Sequence, residues 1–263
     1  LHARGSEDVT TMMRVPYSHL AYPQRQAETE AILSDIRKVV DAGDFTLGRA
    51  VGELEEAWAA YCHVNYAVAV GNGTDALALS LKAIGIGPGS NVITTPYSFV
   101  ATVGAILQVG ATPMFRDIDQ NTGLLGGVEG WHKEARVDAV LPVSWAGAPW
   151  PSPYPMALPP VVLDACQAIG TARRGIYADL TAYSLHPLKN LHVWGDGGMI
   201  TTDSEIMDAE LRLLRNHGLA DRDTWAKPGY NSRLDTIQAV VALHGLRTLD
   251  EVLAKRRANA GRY

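Results

Sequence analysis

Lys189 stands in the stretch SLHPLKNLHVWGDGG, between a serine–histidine–proline run and a glycine-dense turn with a single aspartate. An amine held there could condense with an aldehyde. The alternative is a solvated surface lysine, which most lysines are. The apolar segment before it and the tight glycine turn after it favour a stem that is held in place. Asp164 ends the apolar run of VVLDACQAIG, with Gln167 three residues on. A carboxylate at the end of such a strand faces the crevice where open α/β sheets bind ligands. Buried, it needs a cationic partner such as a protonated ring nitrogen; a helix cap or an ordinary ion pair is the other reading. In VGNGTDALAL, a strand, a turn at Gly73 and a helix opening near Thr74 would aim free backbone N–H groups and a hydroxyl at one point, a phosphate site in outline. The segment is neither a Walker loop nor G-x-G-x-x-G, and glycine-rich turns before helices are common. Phe99 in PYSFVAT is either core or a face for a planar ring.

Together these groups ask for a single ligand with a phosphate, a basic ring nitrogen, a flat ring and an aldehyde. Pyridoxal 5'-phosphate carries all four, and enzymes that use it form a lysine Schiff base with an acidic partner on the ring nitrogen.

Helices and strands alternate around these residues. Helical spacing runs through RQAETEAILSDIRKVVDAG, with Ile32, Ile36, Val39 and Val40 on one face, and through AVGELEEAWAAYCHV, with Leu54, Trp58 and Tyr61. YAVAVG, NVITTP, TPMFRDID, VDAVLPV, PVVLDAC, DLTAYSL and GGMITT read as strands, with helices over TDALALSLKAIGIG and SFVATVGAILQVG. SEIMDAELRLLRNHGL is a helix capped by Ser204 and stopped at Gly218. A long helix from RLDTIQAVV onward is expected to be still running at Tyr263. The proline-rich APWPSPYPMALPP replaces a crossover helix. The pattern predicts an α/β fold with a mostly parallel sheet covered by helices.

Composition fits an ordinary globular domain, with 47% hydrophobic and 19% charged residues. A net charge of -5 gives no reason to expect nucleic acid or an anionic membrane as partner. Cys62 and Cys166 show no metal-ligand spacing, and a reduced, cytoplasmic setting is the simplest reading. No apolar run approaches the roughly 18 residues of a membrane span, and no metal site is expected.

The ordered segments GNGTDAL, PYSFVAT, VLDACQAIG, YSLHPLKNL, GDGGMI, RNHG and GYNSRLDTIQA resemble those of the DegT/DnrJ/EryC1/StrS sugar aminotransferases from about Val15 onward. The resemblance implies a fold type I large domain (aspartate-aminotransferase-like) at 15–245, after a tail at 1–14 and before a helix at 246–263 that leads to a largely absent C-terminal small domain. It implies Lys189 as Schiff-base lysine and general base, and Asp164 as the partner of the ring nitrogen. Gln167 would sit near the phenolic oxygen and Phe99 would stack on the ring. Gly73, Thr74, the Asp75 backbone and Ser184 would hold the phosphate. Asn231 would reach the phosphate of the neighbouring subunit in a homodimer. Related dehydratases carry histidine where this chain has Lys189, so lysine favours transamination. The implied reaction takes an amino group from a donor such as L-glutamate to a keto-sugar, nucleotide-linked by family habit. A free or phosphorylated keto-sugar or keto-cyclitol, or a regulatory or inactive cofactor-binding homologue, are the alternatives. Arg215 and Arg222 are either contacts for a substrate phosphate or a solvated helix end.

Overall fold

The computed structural model of the chain describes residue 20 and residues 26–126, 136–150, 159–171 and 178–263. The tail expected at 1–14 and most of the proline-rich linker lie outside the described residues. Chain order is α1 (Gln26–Ala42), α2 (Arg49–Cys62), β1 (Tyr66–Val70), α3 (Gly73–Ala83), β2 (Asn91–Thr94), α4 (Val100–Gln108), β3 (Thr112–Phe115), β4 (Ala139–Val140), β5 (Val162–Asp164), β6 (Leu180–Ser184), β7 (Gly198–Thr202), α5 (Glu205–Arg215) and α6 (Thr236–Ala260).

Among the described residues two ladders, β1-β7-β6-β5 and β3-β2-β4, account for the strands. They join where β4 meets β5. Val140 pairs with Val161 and Val143 with Asp164, both parallel. Val140 N donates to Pro160 O, Asp164 N to Pro142 O and Ser144 N to Asp164 O, each at 2.9 Å. The strands therefore form one twisted surface in the order 3-2-4-5-6-7-1, with β7 alone running against its neighbours.

Side chains alternate across that surface. Val68 and Val70 of β1, Val162 of β5 and Leu180 of β6 share a core with Leu77 and Leu81 of α3, Ile106 of α4 and Leu211 of α5. Ala67, Ala69, Leu163 and Tyr183 point the other way, toward Leu54 and Trp58 of α2 and Val240 of α6. Helices on both faces of a mostly parallel sheet are what the strand–helix alternation predicts. Leu54 and Trp58 are fully buried, and Trp58 meets the Tyr183 ring edge-on at 5.5 Å.

Several local expectations shift. In α1, Ile32 and Val39 are buried, but Val40 is half-exposed, because a residue one step on is turned ~100° off the stripe. The strand expected over VDAVLPV shortens to Ala139–Val140, since Pro142 has no N–H to give the ladder. The last helix extends to Ala260, and Gly261 N still donates along it to Arg257 O at 3.1 Å. Residues after 245 continue α6, and Leu249 and Leu253 on it pack into the main core.

Arg215 is neither a substrate contact nor a solvated end. It is 6% exposed, paired with the buried Glu55, and donates to Ala69 O at 2.8 Å. Arg212 adds bonds to Glu55 at 2.8 Å and Asp208 at 2.9 Å, while Glu55 also accepts from Ala69 N at 2.9 Å. The network ties α5 to α2 past the edge strand β1.

Candidate active site

A cleft of ≈ 830 Å³ opens at the carboxyl ends of the parallel strands, where open α/β sheets bind ligands. Gly73, Thr74 and Asp75 reach it from the start of α3, and Phe99 from the residue before α4. Asp164 enters from the end of β5, Gln167 from the turn after it, Ser184 from the end of β6 and Lys189 from the loop beyond. Asn231 is not among these residues. It is exposed, on a separate hollow of ≈ 200 Å³ that Tyr230, the buried Ser232 and Lys82 also line.

The α3 corner is built for an anion. Asn72 caps the helix, its Oδ1 accepting from Asp75 N at 2.8 Å. The Asp75 amide is thus engaged by the cap, and the Gly73 and Thr74 amides lead the exposed helix end. A Cβ on Gly73 would lie 2.7 Å from Ser184 Cβ and 3.1 Å from Cys166 Sγ, so only glycine lets the Ser184 hydroxyl close on the helix terminus. Ser184 Oγ accepts from His186 N at 3.3 Å. From outside, Ser232 Oγ donates to Asp75 Oδ2 at 2.6 Å and accepts from Gly71 N at 3.1 Å, bolting the segment that carries Asn231 to the same turn.

Asp164 is 6% exposed. Its Oδ2 accepts from Thr102 Oγ1 at 2.7 Å and its Oδ1 from Cys166 N at 3.1 Å. Ser98 Oγ lies 2.5 Å from Thr102 Oγ1, and because Thr102 spends its proton on Asp164, Ser98 is the donor. All of these donors are neutral. Among the described residues the ion pairs lie elsewhere. A buried carboxylate with only neutral donors is unfinished until a cation arrives.

Lys189 is half-buried in a turn closed by its own N–H to His186 O at 2.8 Å. The Cys166 thiol senses both charged groups: burial and the Asp164 charge push its pKa well above the usual value, and the Lys189 ammonium pulls part of the way back. The glycines after Lys189 do not serve a strained turn, as none of Gly195, Gly197 and Gly198 has a positive φ. They supply room: a Cβ on Gly198 would meet the Asn72 carbonyl oxygen at 2.3 Å.

Phe99 lines the cleft with 66% of its surface exposed, a face free to take a ring. Gln167 Oε1 accepts from Ala146 N at 2.9 Å, which leaves its amide N–H₂ group as the unspent donor. The Tyr97 and Trp145 rings pack on each other with centroids 4.9 Å apart, Trp145 lining the cleft. The sequence reading passed over Thr102, Ser98, Asn72, Ser144 and Cys166. A spacing of four between Ser98 and Thr102 at a helix start was the available signal for that pair.

The residues present fit pyridoxal 5'-phosphate. The Gly73 and Thr74 amides set beside the Ser184 hydroxyl suit the phosphate, the cation-deficient Asp164 suits a protonated ring nitrogen, and Lys189 presents an amine within the same cleft.

An open α/β sheet with an anion corner, a buried acid and a lysine at its carboxyl edge defines a fold type I cofactor enzyme scaffold. The sequence profile of the DegT/DnrJ/EryC1/StrS aminotransferase family matches residues 26–263, and the chain belongs to that family. It is 38% identical over 245 residues to a UDP-N-acetyl-3-dehydro-alpha-D-glucosamine 3-aminotransferase of Acidithiobacillus ferrooxidans, covering 89% of this chain and 66% of the relative. It is 35% identical to the dTDP-3-amino-3,4,6-trideoxy-alpha-D-glucose transaminase of Streptomyces venezuelae, over 95% of this chain and 68% of that one. The crystal structure of NtdA from Bacillus subtilis with bound cofactor PMP superposes with a TM-score of 0.82 at 30% identity, over 90% of this chain and 57% of that chain. The chain thus spans about two-thirds of the length of the curated relatives it matches.

Proposed function

We propose that the chain is the cofactor-binding part of a pyridoxal 5'-phosphate-dependent aminotransferase that moves an amino group from a donor such as L-glutamate to a nucleotide-linked keto-sugar in amino-sugar biosynthesis. The relatives named for UDP- and dTDP-linked sugars support the acceptor class. When bound, the cofactor supplies an electron sink that stabilises negative charge developing at the donor's α-carbon.

The chain's own residues do the rest. Lys189 Nζ would hold the cofactor through its aldehyde and would serve as the base that moves a proton at the donor's α-carbon. Asp164 keeps the ring nitrogen protonated, with Thr102 and Ser98 orienting the acid. Gly73, Thr74 and Ser184 hold the phosphate, with Asp75 serving the Asn72 cap of the same helix end instead, and Phe99 covers one face of the ring. Gln167 donates to the phenolic oxygen. Asn231, outside the cleft but bolted to the α3 corner through Ser232, reaches the partner's phosphate in a homodimer. Cys62 and Cys166, both held as thiols, suit a cytoplasmic location, and no described helix is long and apolar enough to cross a membrane.

The observation that carries this reading is Asp164, buried with only neutral donors in the same cleft as Lys189. Titrating the purified protein with pyridoxal 5'-phosphate tests it. A visible absorption band should form, L-glutamate should discharge it, and borohydride should fix the cofactor on residue 189. A protein that never takes up the cofactor overturns the assignment. One that keeps the band unchanged in glutamate is a cofactor-binding homologue without turnover.

A further inference from the structure

Ser144 is an unspent group in the same cleft. Its side chain is 1% exposed, yet among the described residues its Oγ has no hydrogen-bond partner, and it lines the cleft. A buried hydroxyl left without a partner is destabilising, so its persistence needs a reason. Its backbone is fully committed. Ser144 N donates to Asp164 O at 2.9 Å, and Ser144 O accepts from Gly147 N at 3.2 Å. The turn that follows is pinned by Gln167, whose Oε1 takes Ala146 N. Ala146 is held there at φ 52, a left-handed conformation that costs a non-glycine residue energy. The strand pairing sets Ser144 beside Asp164, and Gln167 clamps its far side. A hydroxyl fixed this firmly without a partner has its partner on the ligand.

We propose that Ser144 is a further cofactor-holding residue, its hydroxyl donating to the phenolic oxygen of the bound ring alongside the free amide of Gln167. Asp164, next to it, is matched to the ring nitrogen and has no proton to give. The phenolic oxygen is the acceptor on the neighbouring edge of the ring, and its negative charge has lone pairs for two donors. The inference rests on the reading of the cleft as a pyridoxal phosphate site.

Ser144→Ala is the test, read by cofactor affinity and by melting of the cofactor-free protein. The variant should bind pyridoxal 5'-phosphate about 10-fold more weakly, as expected for one hydrogen bond to a charged acceptor. It should bind the 3-deoxy analogue, which lacks the phenolic oxygen, as well as wild type does. Its cofactor-free melting temperature should stay level or rise, because an unpaired polar atom has been removed. Equal loss for both ligands, no loss for either, or a lowered cofactor-free melting temperature would overturn the proposal. Wild-type protein that fails to bind the cofactor would sink the functional reading instead, so the two failures are separable.

Discussion

Thr102 Oγ1 sits 2.7 Å from Asp164 Oδ2, and a second hydroxyl, from Ser98, backs it at 2.5 Å. Two hydroxyls in series stabilise the acid without neutralising it, and both can turn round if the acid changes. This leads to opposite effects for Asp164→Asn. The amide can donate to Thr102, which then passes its proton to Ser98, so the fold is kept and a buried anion is gone. The cofactor-free protein should melt at an equal or higher temperature, while turnover falls roughly 10²–10³-fold through loss of a charge aimed at the ring. Calorimetry without cofactor, set beside steady-state rates with it, reads both directions.

Gly73→Ala should separate phosphate binding from the rest of the site. Its methyl would press on Ser184 and Cys166 at 2.7 and 3.1 Å, and Ser184 belongs to a β-strand with little freedom to retreat. Overpacking of this kind costs about 1–3 kcal/mol. Affinity for pyridoxal 5'-phosphate should drop at least about 10-fold, while affinity for phosphate-free pyridoxal changes little. Isothermal titration with both ligands decides the point.

Cys166 should resist alkylation in the native state. Burial and the neighbouring Asp164 hold its thiol protonated well above the usual range, and only the thiolate is a good nucleophile. Between the ordinary thiol pKa and the raised folded value, the unfolded chain has released a proton that the folded chain keeps. Folding stability from this group is therefore fully present below the ordinary value and is lost as pH rises through that interval. Maleimide labelling should be much slower in the folded protein than in denaturant, and Cys166→Ser should soften the alkaline loss of stability.

Glu55→Ala should be among the most damaging changes outside the cleft. It strips Arg215, itself buried, of its carboxylate and leaves a charge in a dry site. A loss of about 3–5 kcal/mol is expected, measured by denaturant unfolding. Arg212→Ala should cost less, because that guanidinium is 39% exposed.

Much of the site was legible because its groups stand at strand ends, where an apolar run stopping at Asp164 or a glycine turn before Thr74 marks a position on the sheet's edge. What could not be read depends on packing between distant segments. Arg215 looked like a surface cation because its partner Glu55 lies 160 residues away. Thr102 and Ser144 carry no charge and sit among apolar neighbours, so nothing local separates a ligand-facing hydroxyl from a core one. The glycines near Lys189 signalled a special backbone, yet what they relieve is contact with Asn72 and Leu234 across the fold. The seven strands were foreseen, but their order and the reversed direction of β7 come from pairing alone.

The reversal of β7 decides where the amine can go. Since β6 and β7 are adjacent and opposed, the connection bearing Lys189 leaves and re-enters the sheet at the same rim, with Leu185 N bonded to Gly197 O at 2.8 Å and Ser184 paired with Gly198. A parallel β7 would have sent this segment across a whole helical layer to the opposite pole. Closed like a short hairpin, the segment gives the lysine a base anchored on both sides, so its reach is governed by rotation about side-chain bonds and hardly at all by loop drift.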